Sequence, residues 1–156
     1  MRKLIQVSAL QQAFRAGVAA GLAGWIATRL ALEHPLYAFI AAVIATDLSA
    51  AQSRKLGLRR LFATAIGAIC GAVLSQLLGP GSGAVGLAVF VAMVIGSLLG
   101  AGEGTRVAGF ICGIVVLEHS AEPWLYGSQR FIETVLGVVI AWGVSFLPKL
   151  IDRDGE

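Results

Sequence analysis

Two short segments of this chain, seventy positions apart, carry the residue types best suited to hold an anion. Arg60-Leu61-Phe62-Ala63-Thr64-Ala65-Ile66-Gly67 and Arg130-Phe131-Ile132-Glu133-Thr134-Val135-Leu136-Gly137 share Arg, Thr and Gly at one spacing, and Ser75 and Ser145 extend the match. A guanidinium is planar and permanently charged, and its fork of N–H donors fits a carboxylate. On a helix, Thr64 and Thr134 lie one turn beyond their arginines on the same face, where they offer hydroxyl donors. The plainer reading is that each arginine snorkels to an interface. That reading suits Arg60, which has basic neighbours, better than Arg130.

Other titratable groups stand beside these. Glu133 follows Arg130 by three residues, the spacing of an intrahelical ion pair. Such a pair lowers the cost of both charges and holds Arg130 until an anion competes. Asp47 is a candidate proton acceptor or partner of Arg54, with helix capping and loop solvation as the other reading. Glu118 and His119 are candidates for protonation, since imidazole titrates near 6.5; a plain interfacial histidine is the alternative, for His34 as well. Glu103 and Arg106 have the spacing of a solvated surface pair.

These residues need membrane helices to position them. The 156 residues are 57% hydrophobic and 13% charged, with mean hydropathy +0.82. A soluble domain carries roughly 25% charged residues. Apolar runs over 13–32, 35–51, 61–79, 83–102, 105–119 and 129–148 predict six transmembrane helices. The second and fifth are short for a hydrocarbon core of about 30 Å. Glu33-His34-Pro35, Gly79-Pro80-Gly81 and Glu122-Pro123 punctuate the runs, and Pro148 stops the last. The expected fold is all-α: one polytopic bundle over 1–156, with halves at about 13–79 and 83–148. Three spans in each half make the second an inverted copy of the first, a design that places substrate at the repeat interface.

Charge orients the bundle. With both termini cytoplasmic, that side receives Arg2, Lys3, Arg15, Arg54, Lys55, Arg59, Arg60, Arg106, Lys149 and Arg153, and only Arg29 and Arg130 fall opposite. That asymmetry satisfies the positive-inside rule, with Tyr37, Trp124 and Tyr126 as an outer aromatic belt. Met1-Arg2-Lys3 leads into a full-length span, unlike the short apolar region of a signal peptide. Gly17/Gly21, Gly67/Gly71, Gly96/Gly100 and Gly109/Gly113 predict close helix packing within a subunit or in a homo-oligomer.

Several functions lack their residues. No GxSxG, HExxH, P-loop or nucleotide fingerprint occurs, so an enzyme is not expected. No metal-ligand spacing surrounds His34 or His119, and no metal or cofactor is expected. Cys70 and Cys112 read as buried, reduced and structural. The net charge of +3 and pI near 9.2 reflect orientation and not nucleic-acid binding, for which aromatic and basic residues would interleave.

The stretch from His34-Pro35-Leu36-Tyr37 to Ile44, Arg60-x-x-x-Thr64-x-x-Gly67-x-x-x-Gly71, and Arg130-x-x-Glu133-Thr134-x-x-Gly137 with Pro148 together resemble the membrane domain of the fusaric acid resistance and aromatic acid exporter family. The likeness covers roughly 13–148, and extends more distantly to plant aluminium-activated malate channels, which are six-helix dimers. It implies a cell inner-membrane protein moving small organic anions, aromatic carboxylates among them, by export or channel-like conduction, with Arg60 and Arg130 on the path. Ala63 departs from the glycine usual before the family's threonine. Family members also usually carry a cytoplasmic domain, which points to a partner subunit or to a minimal bundle. The competing reading is a membrane scaffold or accessory subunit that transports nothing, or a lipid-related function.

Overall fold

The computed structural model describes residues 2–79 and 81–146, with side chains from residue 8 onward. Among these residues the chain is all-helical: α1 Arg2–Arg29, α2 Pro35–Ala45, α3 Ala50–Leu78, α4 Ser82–Leu98, α5 Thr105–Glu118 and α6 Pro123–Ser145, with a 3-10 turn at Gly102–Gly104. Pro80, Pro148, Lys149 and Arg153 lie outside the described residues, as do the side chains of Arg2 and Lys3.

The six helices stand in the expected order, but their ends move. α1 starts at Arg2, about three turns before position 13, because nothing in that basic, Gln-containing stretch breaks a helix. α2 stops at Ala45 instead of 51, since Thr46 turns extended (φ −83°, ψ 126°). The break at 46–49 is held by side chains. The Asp47 N–H donates to Ser53 Oγ at 2.8 Å, and the Ser49 N–H to Asp47 Oδ1 at 3.0 Å. α3 therefore begins at Ala50, so Arg54, Lys55 and Arg59 ride its first turns and not a loop. α4 ends at Leu98, before Gly100 takes a left-handed φ of 75°. α6 starts at Pro123, where a proline lacking N–H belongs in the first turn.

α3 and α6 run antiparallel through the centre, and glycine sets how closely each approaches its neighbours. A Cβ on Gly67 would stand 2.6 Å from the Ala108 carbonyl oxygen and 2.9 Å from Ile111 Cβ of α5. A Cβ on Gly137 would collide with the Ala38 carbonyl oxygen and stand 2.8 Å from Ala41 Cβ of α2. Adding seventy to Gly67 and subtracting it from Ala108 and Ile111 turns the first contact into the second. The same exchange relates Gly57 against Val138 to Gly127 against Ala68. Gly109 and Gly113 seat α5 on Met93 and Val89 of α4, whereas Gly17 and Gly21 meet nothing within 4 Å. Gly100 lies beyond its helix, so the expected Gly96/Gly100 face does not form.

The distribution of polarity is inverted. The interior is mostly alanine, with Ala19, Ala23, Ala38, Ala42, Ala63, Ala72, Ala88, Ala92 and Ala108 fully enclosed. Buried among them are Arg15, Arg60, Arg130 and Glu133. Phe14, Trp25, Ile69, Leu77, Phe90, Leu98, Phe110 and Ile132 face outward. A water-soluble domain buries large apolar side chains and exposes its charges; small residues inside and large apolar ones outside suit lipid. By length and apolarity alone, α3 is the one described helix able to cross a membrane, with a mean hydropathy of 2.0. At 1.5 Å per residue, α2 and α5 span only about 16 and 21 Å.

Candidate anion site at the crossing of α3 and α6

Thr64 and Thr134 meet where the central helices cross, their hydroxyl oxygens 3.5 Å apart and buried. Each hydroxyl also donates back to its own helix, Thr64 to the Arg60 carbonyl at 2.9 Å and Thr134 to the Arg130 carbonyl at 2.8 Å. Such i−4 bonds are the usual resort of threonine inside an apolar helix. Across the 3.5 Å contact either hydroxyl can be the donor. Because the helices are antiparallel, Arg60 lies one turn to one side of this plane and Arg130 one turn to the other.

Around Arg130 the chain gathers a cluster. Its Nη1 lies 3.6 Å from Glu133 Oε2, with both side chains almost wholly enclosed. The expected ion pair is therefore present, though longer than a charge-assisted hydrogen bond of about 2.7–2.9 Å. The guanidinium sits over the Tyr37 ring and 5.4 Å from the Tyr126 centroid. Glu133 Oε1 accepts the His34 backbone N–H at 2.9 Å and lies 3.9 Å from His34 Nδ1. Tyr126 stacks on His119 with centroids 3.6 Å apart and planes 10° from parallel, and His34 meets Tyr126 edge-on. Five polar atoms in this cluster are enclosed without a hydrogen-bond partner: Arg130 Nε and Nη1, Glu133 Oε2, Tyr126 Oη and His34 Nδ1. Buried polar atoms are ordinarily satisfied, so this concentration is unusual.

Arg60 is also buried, at 7% exposure, and among the described residues no charge is paired with it. Its Nε has no hydrogen-bond partner, and no carboxylate lies within 4 Å of it among the described residues. The position equivalent to Glu133 is Ala63, and the one equivalent to His34 is Gly104, where a Cβ would stand 3.0 Å from Ala63 Cβ. The contact that carries a carboxylate at one end is thus an alanine against a glycine at the other.

The remaining candidates sit apart. Asp47 lies in the turn before α3, where its Oδ1 accepts the Ser49 N–H, and it makes no ion pair within 4 Å with Arg54, which lies over the Phe146 ring. Glu118 is an exposed carboxylate ending α5, and Glu103 and Arg106 are exposed with no pair within 4 Å. His119 lies beyond α5 and lines a cavity of about 100 Å³ with Glu33, His34, Glu122, Tyr126 and Gln129. Burial depresses its pKa below the ordinary value, helped by His34, with Glu118 pulling the other way. Ser145 Oγ reaches Ser53 Oγ at 2.6 Å, while Ser75 Oγ is enclosed without a partner; the position matching Ser53 is Pro123, which has no hydroxyl.

Tyr37 and Tyr126 correct the expected aromatic belt, for Tyr126 is 3% exposed and both rings turn toward Arg130. Tyr126 stands four residues before Arg130, a helical spacing that carries this signal; no spacing announces Tyr37. Arg15, expected at the cytoplasmic surface, is buried with Nη1 on the Leu48 carbonyl at 3.1 Å. Cys112 is buried with Sγ on the Ala88 carbonyl, and Cys70 is half-buried. A larger recess of about 310 Å³ between Ala68, Ile69, Trp124 and Phe131 is walled by apolar groups and suits hydrocarbon, not a carboxylate. Among the described residues no three His, Cys, Asp or Glu side chains converge as metal ligands would.

Comparison with known proteins adds a family. The sequence profile described as "Aromatic acid exporter family member 1" matches residues 8–147. A Bacillus subtilis (strain 168) protein, "UPF0421 protein YgaE", is 29% identical over 138 residues, which cover 86% of this chain and 39% of that protein. The chain thus spans well under half the length of this relative. No solved structure matches it.

Proposed function

The chain belongs to the aromatic acid exporter family, and on that premise we propose that it carries organic carboxylates across a membrane between α3 and α6, with Arg60, Thr64, Thr134 and Arg130 along the path. The family is one of membrane transporters. The observation that carries the reading is the pair of enclosed arginines set one turn to either side of the Thr64–Thr134 contact. A charge inside a span costs roughly 2.5–3.5 kcal/mol on insertion scales and signals function by default. Among the described residues Arg60 carries that cost without a counter-ion, as a site that receives its anion from outside would.

We infer further that the two halves form an inverted repeat. The exchange of contacts between Gly67 with Ala108 and Gly137 with Ala38 supports it, as a twofold axis near the Thr64–Thr134 contact would relate them in this way. Six spans in the inner membrane, with both termini cytoplasmic, place Arg60 toward the cytoplasm and Arg130 toward the outside. The open Gly17/Gly21 face of α1 leaves room for a second copy.

Flux of benzoate, malate and chloride from proteoliposomes holding the purified chain tests the proposal. Benzoate flux that disappears in Arg60→Ala/Arg130→Ala, with the fold retained, supports it. Equal flux in both proteins removes the arginines from the path. An inserted, folded chain that moves no anion favours a scaffold or accessory subunit.

A further inference from the structure

The two arginine sites are unequal, and the inequality has a mechanical meaning. We propose that Glu133 is a tethered stand-in for the substrate's carboxylate: it occupies Arg130 until an incoming carboxylate displaces it, while Arg60 stays open to bind first. This rests on the anion-transport reading above.

Five observations carry it. The Glu133 contact with Arg130 is poor: 3.6 Å through one oxygen, longer than a charge-assisted hydrogen bond. A free carboxylate has no such tether and can take two short, parallel N–H···O bonds. Arg130 Nε and Nη1 make no hydrogen bond, so both donors would be open to such a ligand once Glu133 moves off Nη1.

Glu133 also has somewhere to go. Its Oε1 already holds the His34 N–H at 2.9 Å, and His34 Nδ1, enclosed and unpartnered, lies 3.9 Å from the same oxygen. As the Nδ1–H tautomer, His34 gives the released carboxylate a second donor, so leaving Arg130 does not strand a bare buried charge. The Tyr37 and Tyr126 rings around the guanidinium favour a planar, aromatic acid over a small inorganic anion, since ring edges and faces pack against one another. At the other end, Ala63 against Gly104 leaves Arg60 with neither a competing carboxylate nor an aromatic cage among the described residues.

Equilibrium dialysis of labelled benzoate against the purified, detergent-solubilised chain tests this without requiring transport. Glu133→Gln keeps the side-chain shape and the acceptor for the His34 N–H but removes the charge. It should expose a second benzoate site per chain, at least about tenfold tighter than any binding at Arg130 in the unaltered protein, a shift well within what one competing charged group controls. Glu133→Ala should do the same, guarding against a local fault of the amide. Adding Arg130→Gln to either should abolish the second site and leave the one at Arg60. Unchanged stoichiometry and affinity in both Glu133 variants overturns the proposal, as does loss of binding in both folded variants. Benzoate bound in this pattern by a chain that moves no anion overturns the transport reading alone. Arginine-dependent flux with no change on losing Glu133 overturns the stand-in alone.

Discussion

Thr64 Oγ1 and Thr134 Oγ1 lie 3.5 Å apart at the buried crossing of the two central helices. Each spends its proton on the carbonyl of the arginine one turn behind it. The crossing is therefore shut, with the two hydroxyl oxygens face to face. Passage of a carboxylate requires α3 and α6 to part here, which would free the threonine hydroxyls to turn from their own carbonyls toward the anion.

Packing around the crossing depends on glycine. Gly67→Ala and Gly137→Ala each force a methyl into an alanine carbonyl of the neighbouring helix, and each should cost about 1–3 kcal/mol, the range for overpacking. Gly17→Ala has open space and should leave stability unchanged or raise it. Thermal unfolding in detergent checks this; equal melting of Gly137→Ala and Gly17→Ala would refute the close approach.

Ser53 ties three segments together at the start of α3. Its Oγ accepts the Asp47 N–H and lies 2.6 Å from Ser145 Oγ, while its carbonyl accepts Trp142 Nε1–H at 3.1 Å. Trp142→Phe should cost about 0.5–1.5 kcal/mol for one hydrogen bond. Ser53→Ala strands a buried partner and should cost about 1–3 kcal/mol. Melting temperatures in the reverse order would contradict this division of labour.

His119 makes the protein sensitive to acid. Its pKa is held below the ordinary value by burial and by His34, against the pull of Glu118 and Glu33, with Arg130 adding to the depression. The unfolded chain therefore binds the proton more readily than the folded one. The stabilisation is complete above about pH 6.5 and is lost as pH falls from there toward the folded pKa. His119→Phe keeps a ring against Tyr126 and should flatten the fall in melting temperature between pH 7.5 and 5.5. An unchanged slope would mean that His119 is not a source of it.

Much of this was legible in the sequence because membrane helices are written in long apolar runs and in charge. Arg60, Thr64, Arg130 and Thr134 could be named from their repeat, and the Arg130–Glu133 pair from its spacing. Helix ends were less legible: the break at 46–49 depends on Ser53 reaching back to Asp47, a contact between residues with no distinctive pattern. The aromatic surroundings of Arg130 were misread, since Tyr37 and Tyr126 at helix ends fit an interfacial belt equally well until the fold turns them inward. No local signal in the sequence announces the bond of Arg15 to the Leu48 carbonyl. The vacancy of Arg60 was invisible, for it consists of what Ala63 and Gly104 fail to supply.

The central claim is that anions pass between α3 and α6 at the threonine pair. A Thr64→Cys/Thr134→Cys variant, in a background with Cys70 and Cys112 replaced by alanine, tests it most directly. Oxidation should join the two thiols within one chain, seen as loss of both free thiols, and arrest benzoate flux that returns on reduction. Full cross-linking with undiminished flux would contradict the account, because the helices could then not part and the anion would be travelling elsewhere.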